Sequence, residues 1–250
     1  NNQQDTVIAA GIAETLGADV MIVLGGDGTS RAACKGSLKI PILPLSTGTN
    51  NVFPVMIEAT VAGLAAGVVA SGRFPLAETC IRASMLEILI DDKPADMALV
   101  DIAVFDDVFL ASRAVWDFDK VPQLFMSRCR PDTIGLSSVG GQLQHIEPDE
   151  PRGLALELGP DGATTVEAAI APGRFTKVNI RTITEMAPDV AFPVSLSPCL
   201  LAVDGEREVE VRRGCRAAVR LKCDGPWVVD VRLVLEQARR AGLFVSERTV

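Results

Sequence analysis

Val20-Met21-Ile22-Val23-Leu24-Gly25-Gly26-Asp27-Gly28-Thr29 is the stretch that decides the fold. Its apolar half, bounded by turn formers, reads as a strand buried on both faces. The glycines that follow, Gly25, Gly26 and Gly28, allow a tight turn and positive φ, and they expose backbone N–H groups that a side chain would screen. Thr29 to Lys35 then predicts a helix closed by Gly36. A strand, a glycine loop and a helix N-terminus together form a phosphate site. Asp27 is the unusual member, an acid where an anion should sit. It fits if it holds a cation or takes a proton from a hydroxyl attacking phosphorus. The other reading of Asp27 is a helix cap in an ordinary turn.

On either side of this stretch the pattern is helical, then extended. Apolar residues at 8, 9, 12, 13 and 16 place a helix over Asp5 to Leu16, ended by Gly17. Ile40 to Leu45 predicts a second short strand, which Pro41 and Pro44 make an edge strand or shorten. The next loop, Ser46-Thr47-Gly48-Thr49-Asn50-Asn51, is rich in hydroxyls and amides. If the two strands run parallel, both loops lie at the carboxyl edge of one sheet, where open α/β sheets bind ligands. Alone, Thr47 to Asn51 is a turn with local caps. Paired with the first loop it becomes a second binding segment for phosphate, ribose or a base edge.

Ile57 to Ser71 predicts a helix ended by Gly72. After Phe74-Pro75 the period changes to that of strands, which places a domain boundary near residue 76. Strands are expected over Glu78–Ile90, Ala95–Phe105, Ile134–Val139, Leu154–Leu158, Thr165–Ile170, Lys177–Thr184, Cys199–Val203, Glu208–Arg212 and Ala217–Cys223. Asp204-Gly205 marks a hairpin. Phe109 to Trp116 reads as a short helix, Asp117 to Pro131 as an irregular connection, and Val231 to Arg240 as a closing helix. The expected organisation is an α/β domain with parallel strands over 1–76 and a mainly antiparallel β domain with a C-terminal helix over 77–250.

Composition narrows the function. The chain has 250 residues, 48% hydrophobic and 22% charged, and carries a formal net charge of −8. That profile is globular and soluble, and its sign argues against nucleic acid or an anionic membrane as partner. No apolar run is long enough to span a bilayer and no secretory signal begins the chain. The six cysteines contain no CxxC pair, and the single histidine, His145, has no cysteine near it. This pattern is neither a zinc site nor a disulfide framework and fits a reduced cytoplasm. Chemistry therefore falls to carboxylates, hydroxyls, backbone and bound cations. No GxxxxGK[ST] motif occurs, and Arg31 stands where a dinucleotide fingerprint has its third glycine.

The remaining combination resembles the NAD kinase and diacylglycerol kinase superfamily, and within it the ATP-NAD kinase/AcoX (acetoin catabolism protein X) branch. Leu24-Gly25-Gly26-Asp27-Gly28-Thr29 carries the superfamily signal. Leu45 to Pro54 narrows it to the branch, and Glu58 to Gly67 extends it. The resemblance implies a Rossmann-like α/β half with parallel strands, a mostly β half, and an active site in the cleft between them. It implies phosphoryl transfer from ATP to a substrate hydroxyl with Mg2+, acting on small nucleotide-like molecules. It leaves a homo-oligomer open. The family usually starts with another strand and helix, and this chain does not begin with Met.

Two further motifs of NAD kinases have counterparts here. Their Asn-Asp/Glu pair, which contacts NAD, is similar to Val100-Asp101, with valine in place of asparagine. Their Thr/Gly/Ser-rich motif loosely resembles Gly135 to Gly141, and their late Asp-Gly hairpin resembles Asp204-Gly205. The candidate catalytic residue is Asp27. Candidate nucleotide contacts are Gly25, Gly26, Gly28, Thr29, Arg31, Thr47, Gly48, Thr49, Asn50, Asn51 and Asp101. Arg31 reaches a phosphate or is an exposed pairing charge; Asp101 contacts ligand or solvates a strand edge. Magnesium needs one or two carboxylates beside the phosphates, which Asp27 shares with an acid of the β domain. A non-catalytic nucleotide-binding regulator and a lipid kinase are the alternative functions. The acidic composition and the lack of a basic amphipathic helix disfavour the lipid kinase.

Overall fold

A computed structural model describes residues 3–106, 120–205 and 207–246 of the chain. The chain divides into two compact units, one made of residues 1–47, 54–83 and 226–250, the other of 48–53 and 84–225. The first begins with helix α1 (Gln3–Thr15), strand β1 (Met21–Gly25), helix α2 (Asp27–Gly36), strand β2 (Ile42–Ser46), helix α3 (Ala59–Ala70) and strand β3 (Cys80–Arg82). β1 and β2 are parallel as expected, in register from Met21↔Ile42 to Gly25↔Ser46.

The second unit is antiparallel β. Strands β4 (Met85–Ile90) and β5 (Lys93–Ala98) form a hairpin, and β6 (Asp101–Phe105) and β7 (Gln123–Met126) follow. After the short helix α4 (Ser137–Gly141) come β8 (Gly153–Leu158), β9 (Thr164–Ala171), β10 (Arg174–Met186), β11 (Ala191–Pro193), β12 (Cys199–Val203), β13 (Arg207–Val211) and β14 (Ala217–Lys222). Seven strands pair in the order β13-β12-β6-β7-β8-β10-β9 and four in the order β11-β14-β4-β5. Alternate residues of β6 enter different cores: Ala103 and Phe105 pack with Leu124, Met126 and Leu156, while Ile102 and Val104 pack with Ile88, Val219 and Leu221 of the smaller sheet. A strand buried on both faces reads as a continuous apolar run, as β6, β7 and β12 do.

The chain then returns to the first unit with strand β15 (Trp227–Val229) and helix α5 (Val231–Arg240). The first sheet has the order β1-β2-β15-β3, with β15 parallel to β2 and antiparallel to β3. Val234 and Ala238 of α5 share a core with Ala62, Ala65 and Val69 of α3. The boundary expected at 76, with the last helix in the second domain, is therefore corrected. The period change at Pro75 follows the end of α3 at Ala70, and the first sheet is completed only by β3 and the end of the chain.

Four other expectations change. β1 is an edge strand, with Ile22 50% and Leu24 64% exposed, so it is buried on one face only. β2, given an edge by its prolines, is interior and fully buried from Ile42 to Leu45. The reason is the direction of the missing donor. Thr47 N–H donates to Gly25 O, so the odd residues of β2 face β1. The Pro44 nitrogen faces the other flank, where β15 pairs only at Ile42↔Val228. Ile134–Val139, expected as a strand, contains the start of α4 instead. A Cβ on Gly140 would fall 2.6 Å from Met126 Sδ, so the small residues there serve close packing. Gln123–Met126, expected in an irregular connection, is a central strand. The helix expected over Phe109–Trp116 lies outside the described residues.

Candidate functional site

In the first unit the glycine loop joins β1 to α2. Gly26 is the N-cap, with φ −101° and ψ −168°, and Asp27 is the first helical residue. Asp27 is thus not a cap, which removes the alternative reading. Ser30 N–H and its hydroxyl both bond to Gly26 O at 3.1 Å, closing the first turn. The amides of Gly28 and Thr29 belong to the helix start, where no intrahelical carbonyl takes them, and they carry the positive end of the helix dipole. That donor set suits phosphate oxygens.

Gly25 is required for a different reason than expected. Neither Gly25, Gly26 nor Gly28 is among the positive-φ glycines. A Cβ on Gly25 would instead lie 2.6 Å from Thr29 Oγ1 and 2.7 Å from Thr29 Cβ. Gly25 is small so that the first turn of α2 can fold back on the strand end. Arg31 is buried at 1% exposure, so it is not an exposed pairing charge. A guanidinium so placed needs polar or anionic company, and its rigid fork suits carboxylate or phosphate. Thr47 is exposed and its N–H reaches Gly25 O at 3.4 Å, which places Thr47 beside the end of β1 at the carboxyl edge of β1 and β2.

In the second unit lie Gly48, Thr49, Asn50, Asn51 and Asp101. Thr49 and Asn50 are exposed, and Thr49 Oγ1 bonds to Asn50 Oδ1 at 3.3 Å. The loop ends at buried Phe53, whose ring lies 4.8 Å beneath the Arg128 guanidinium. Arg128 Nη2 donates to Ser84 O at 3.3 Å. Asp101 opens β6 and is 5% exposed, which rules out a solvated strand edge. The carboxylate of Asp204, also 5% exposed, accepts from the backbone N–H groups of Leu99, Val100 and Asp101 at 2.8–3.3 Å. Ser127 Oγ donates to Leu99 O at 2.7 Å.

Sequence reading missed Arg128, Ser127 and the reach of Asp204. The Asp-Gly signal identified the hairpin, and Asp204 and Gly205 do take left-handed φ of 50° and 71°. Nothing in the spacing told where the carboxylate would go. The Gly135–Gly141 segment turns inward: Ser138 Oγ bonds to Gly135 O and Ala169 O, so its hydroxyl is spent on packing.

Among the described residues no cluster of three His, Cys, Asp or Glu is placed to hold a metal ion. This donor set fits Mg2+ only in its usual manner, through one or two carboxylates plus phosphate oxygens. No helix among the described residues is long and apolar enough to cross a membrane.

Residues 84–224 match the family described as acetoin catabolism protein X C-terminal domain. The chain belongs to the acetoin catabolism protein X family. Residues 2–74 match the ATP-NAD kinase N-terminal domain. Acetoin catabolism protein X of Cupriavidus necator is 36% identical over 248 residues, covering 97% of this chain and 69% of that protein. Among solved structures, yeast NADH kinase complexed with NADH matches with a TM-score of 0.51 and 16% identity, over 93% of this chain and 68% of that one. That likeness shows the fold alone: a two-domain NAD kinase-like architecture, α/β with parallel strands first and mostly antiparallel β second.

Proposed function

We propose that the protein is a phosphotransferase that moves a phosphoryl group from ATP to a hydroxyl of NAD or a related nucleotide-like small molecule. The carrying observation is the position of Asp27: an acid at the first helical residue of α2, directly after a glycine loop whose cap is Gly26. An acid is not needed there for capping, and it stands beside the amides best suited to phosphate. When bound, ATP supplies the phosphoryl group and Mg2+ neutralises its developing charge. Asp27 accepts the hydroxyl proton, a role worth about 10²–10⁴-fold when the group is well positioned. Gly28 and Thr29 N–H groups hold phosphate oxygens, with Arg31 as a charged partner. Thr47, Gly48, Thr49, Asn50 and Asn51 offer hydroxyls, amides and backbone to ribose or base, and Asp101 contacts the acceptor.

One observation favours a second reading, a nucleotide-binding regulator without turnover. Val100 replaces the asparagine of NAD kinases and is buried, with its N–H given to Asp204. The acceptor side therefore lacks an amide side chain that the kinases have. Incubation with ATP, Mg2+ and a panel of NAD, NADH, sugars and diacylglycerol, followed by measurement of ADP and phosphorylated product, separates the readings. Product from NAD or another nucleotide supports the kinase. Nucleotide binding with no transfer to any acceptor overturns it in favour of the regulator.

A further inference from the structure

We infer that Asp204 is a positioning residue that sets the placement of Asp101. The inference rests on the reading of Asp101 as a contact to the acceptor. The chain passes from the smaller sheet to the larger one across Leu99 and Val100, between the end of β5 and the start of β6. Three consecutive backbone N–H groups at this crossing converge on one carboxylate. Leu99 N lies 3.1 and 3.0 Å from the two Asp204 oxygens, Val100 N lies 2.8 Å from Oδ1, and Asp101 N lies 3.3 Å from Oδ1. Successive N–H groups of this kind form an anion nest, here filled by the protein's own side chain.

The tie is mutual at residue 101. Asp204 N–H donates to Asp101 O at 3.0 Å, so both polar backbone groups of Asp101 bond to the same residue. From the other side, Ser127 Oγ holds Leu99 O and Ser127 N–H holds Val100 O at 2.9 Å. A neutral turn would satisfy amides without burying a charge, which is costly. Charge-assisted bonds are stronger and fix geometry more narrowly. The Asp204 carboxylate therefore spends its burial on holding the first residue of β6 in one place. Its hairpin lets it do so, because Asp204 and Gly205 take the left-handed φ that returns the carboxylate toward the crossing.

The test uses the full chain carrying Asp204→Asn, which keeps the size and loses the charge. Hydrogen exchange by NMR at the amides of Leu99, Val100 and Asp101 is expected to quicken by about tenfold or more. The NAD dissociation constant, read by calorimetry, is expected to rise by about tenfold. With Asp101→Asn already present, adding Asp204→Asn is expected to change that constant by less than about twofold, because coupled residues are not additive. A loss of equal size in both backgrounds, or unchanged NAD affinity despite faster exchange, makes Asp204 a structural tie only and overturns the inference. If Asp204→Asn fails to fold, Ser127→Ala loosens the same crossing from its carbonyl side and the same pattern decides. If the unaltered protein binds neither ATP nor NAD, the functional reading fails by itself. The Asp101 carboxyl carbon-13 resonance then decides: a shift in the Asp204→Asn chain supports the positioning role, and an unmoved resonance overturns it.

Discussion

Thr29 occupies the space that a side chain on Gly25 would need: its Cβ stands 2.7 Å, and its Cγ2 3.0 Å, from where a Gly25 Cβ would be. Rotating Thr29 relieves only part of this, because the Thr29 Cβ is fixed to the first turn of α2. Gly25→Ala should therefore push the helix start off the strand end. Overpacking of this kind costs about 1–3 kcal/mol. The expected outcome is a lower denaturation midpoint, together with weaker ATP binding since the loop amides move. Adding Thr29→Gly should recover much of the stability, because it removes the atoms in the way. A Gly25→Ala protein with normal stability would show that the close approach is not required.

Gly36 makes the same argument between helices. A Cβ there would lie 2.3 Å from Val7 O and 2.7 Å from the Ala10 Cβ, so α1 and α2 meet through bare backbone. Gly36→Ala should part the two helices and lower stability by about 1–3 kcal/mol, read as a shift of the denaturant midpoint at unchanged slope. Gly36→Ala should be costlier than Gly63→Ala, where a Cβ meets nothing within 4 Å and the change gains helix propensity.

Gly36 also shows how much of this fold was legible. Its residue type correctly placed the end of α2, but the sequence rule assigned it a terminating role. In the structure it is the last helical residue, and Ser37 is the cap. Local signals gave helix existence, the parallel pair β1–β2 and the β-rich second half, because periodicity and turn residues act over a few positions. They did not give the return of β15 and α5 to the first sheet, since pairing across the whole chain leaves no local mark. The site divides the same way. Asp27, Thr29 and Thr47 lie in short motifs that a sequence displays, whereas the approach of Asp204 to Leu99 joins positions 105 apart. Pro44 misled because a proline penalises only the flank its nitrogen faces.

The second-unit loop should depend on Arg128. Its guanidinium covers the Phe53 ring and bonds to Ser84 O. Arg128→Lys keeps the charge but loses the planar face and the fork. A loss of about 1 kcal/mol in stability is expected, with faster limited proteolysis within residues 48–53. Phe53→Leu should produce the same proteolytic phenotype, and the double substitution should add little to either. Independent, additive effects would show that the stacked pair does not hold the loop.

None of the six cysteines is in a disulfide, and their reactivity should separate by burial. Burial pushes the Cys129 thiol up to about 12 and the Cys199 thiol up to about 11. A raised thiol pKa means little thiolate below it, and the thiolate is the reactive form. At pH 8 a disulfide reagent should therefore label Cys223 and Cys215 in the folded protein and spare Cys129 and Cys199. Cys223 should lead, because burial and the neighbouring Asp91 raise the Cys215 thiol. Labelling should reach all six only after denaturation. Prompt reaction of Cys129 in the native protein at pH 8 would contradict its placement between β7 and α4.

Asp27→Asn is the decisive substitution for the proposed chemistry. Asn is nearly the same size, and Gly26 remains the cap, so the turn from β1 to α2 should survive. The lost attraction between a negative charge and the helix N-terminus contributes a folding cost of about 0.3–1 kcal/mol. Nucleotide affinity should change little, because the amides of Gly28 and Thr29 are untouched. Turnover should fall by about 10²–10⁴-fold if Asp27 takes the hydroxyl proton. A loss confined to the catalytic rate marks an interaction made in the transition state, whereas a raised KM at unchanged kcat marks ground-state binding. Activity restored by excess Mg2+ would assign Asp27 to metal binding in preference to proton transfer. Near-normal activity in a folded Asp27→Asn protein would remove Asp27 from the reaction.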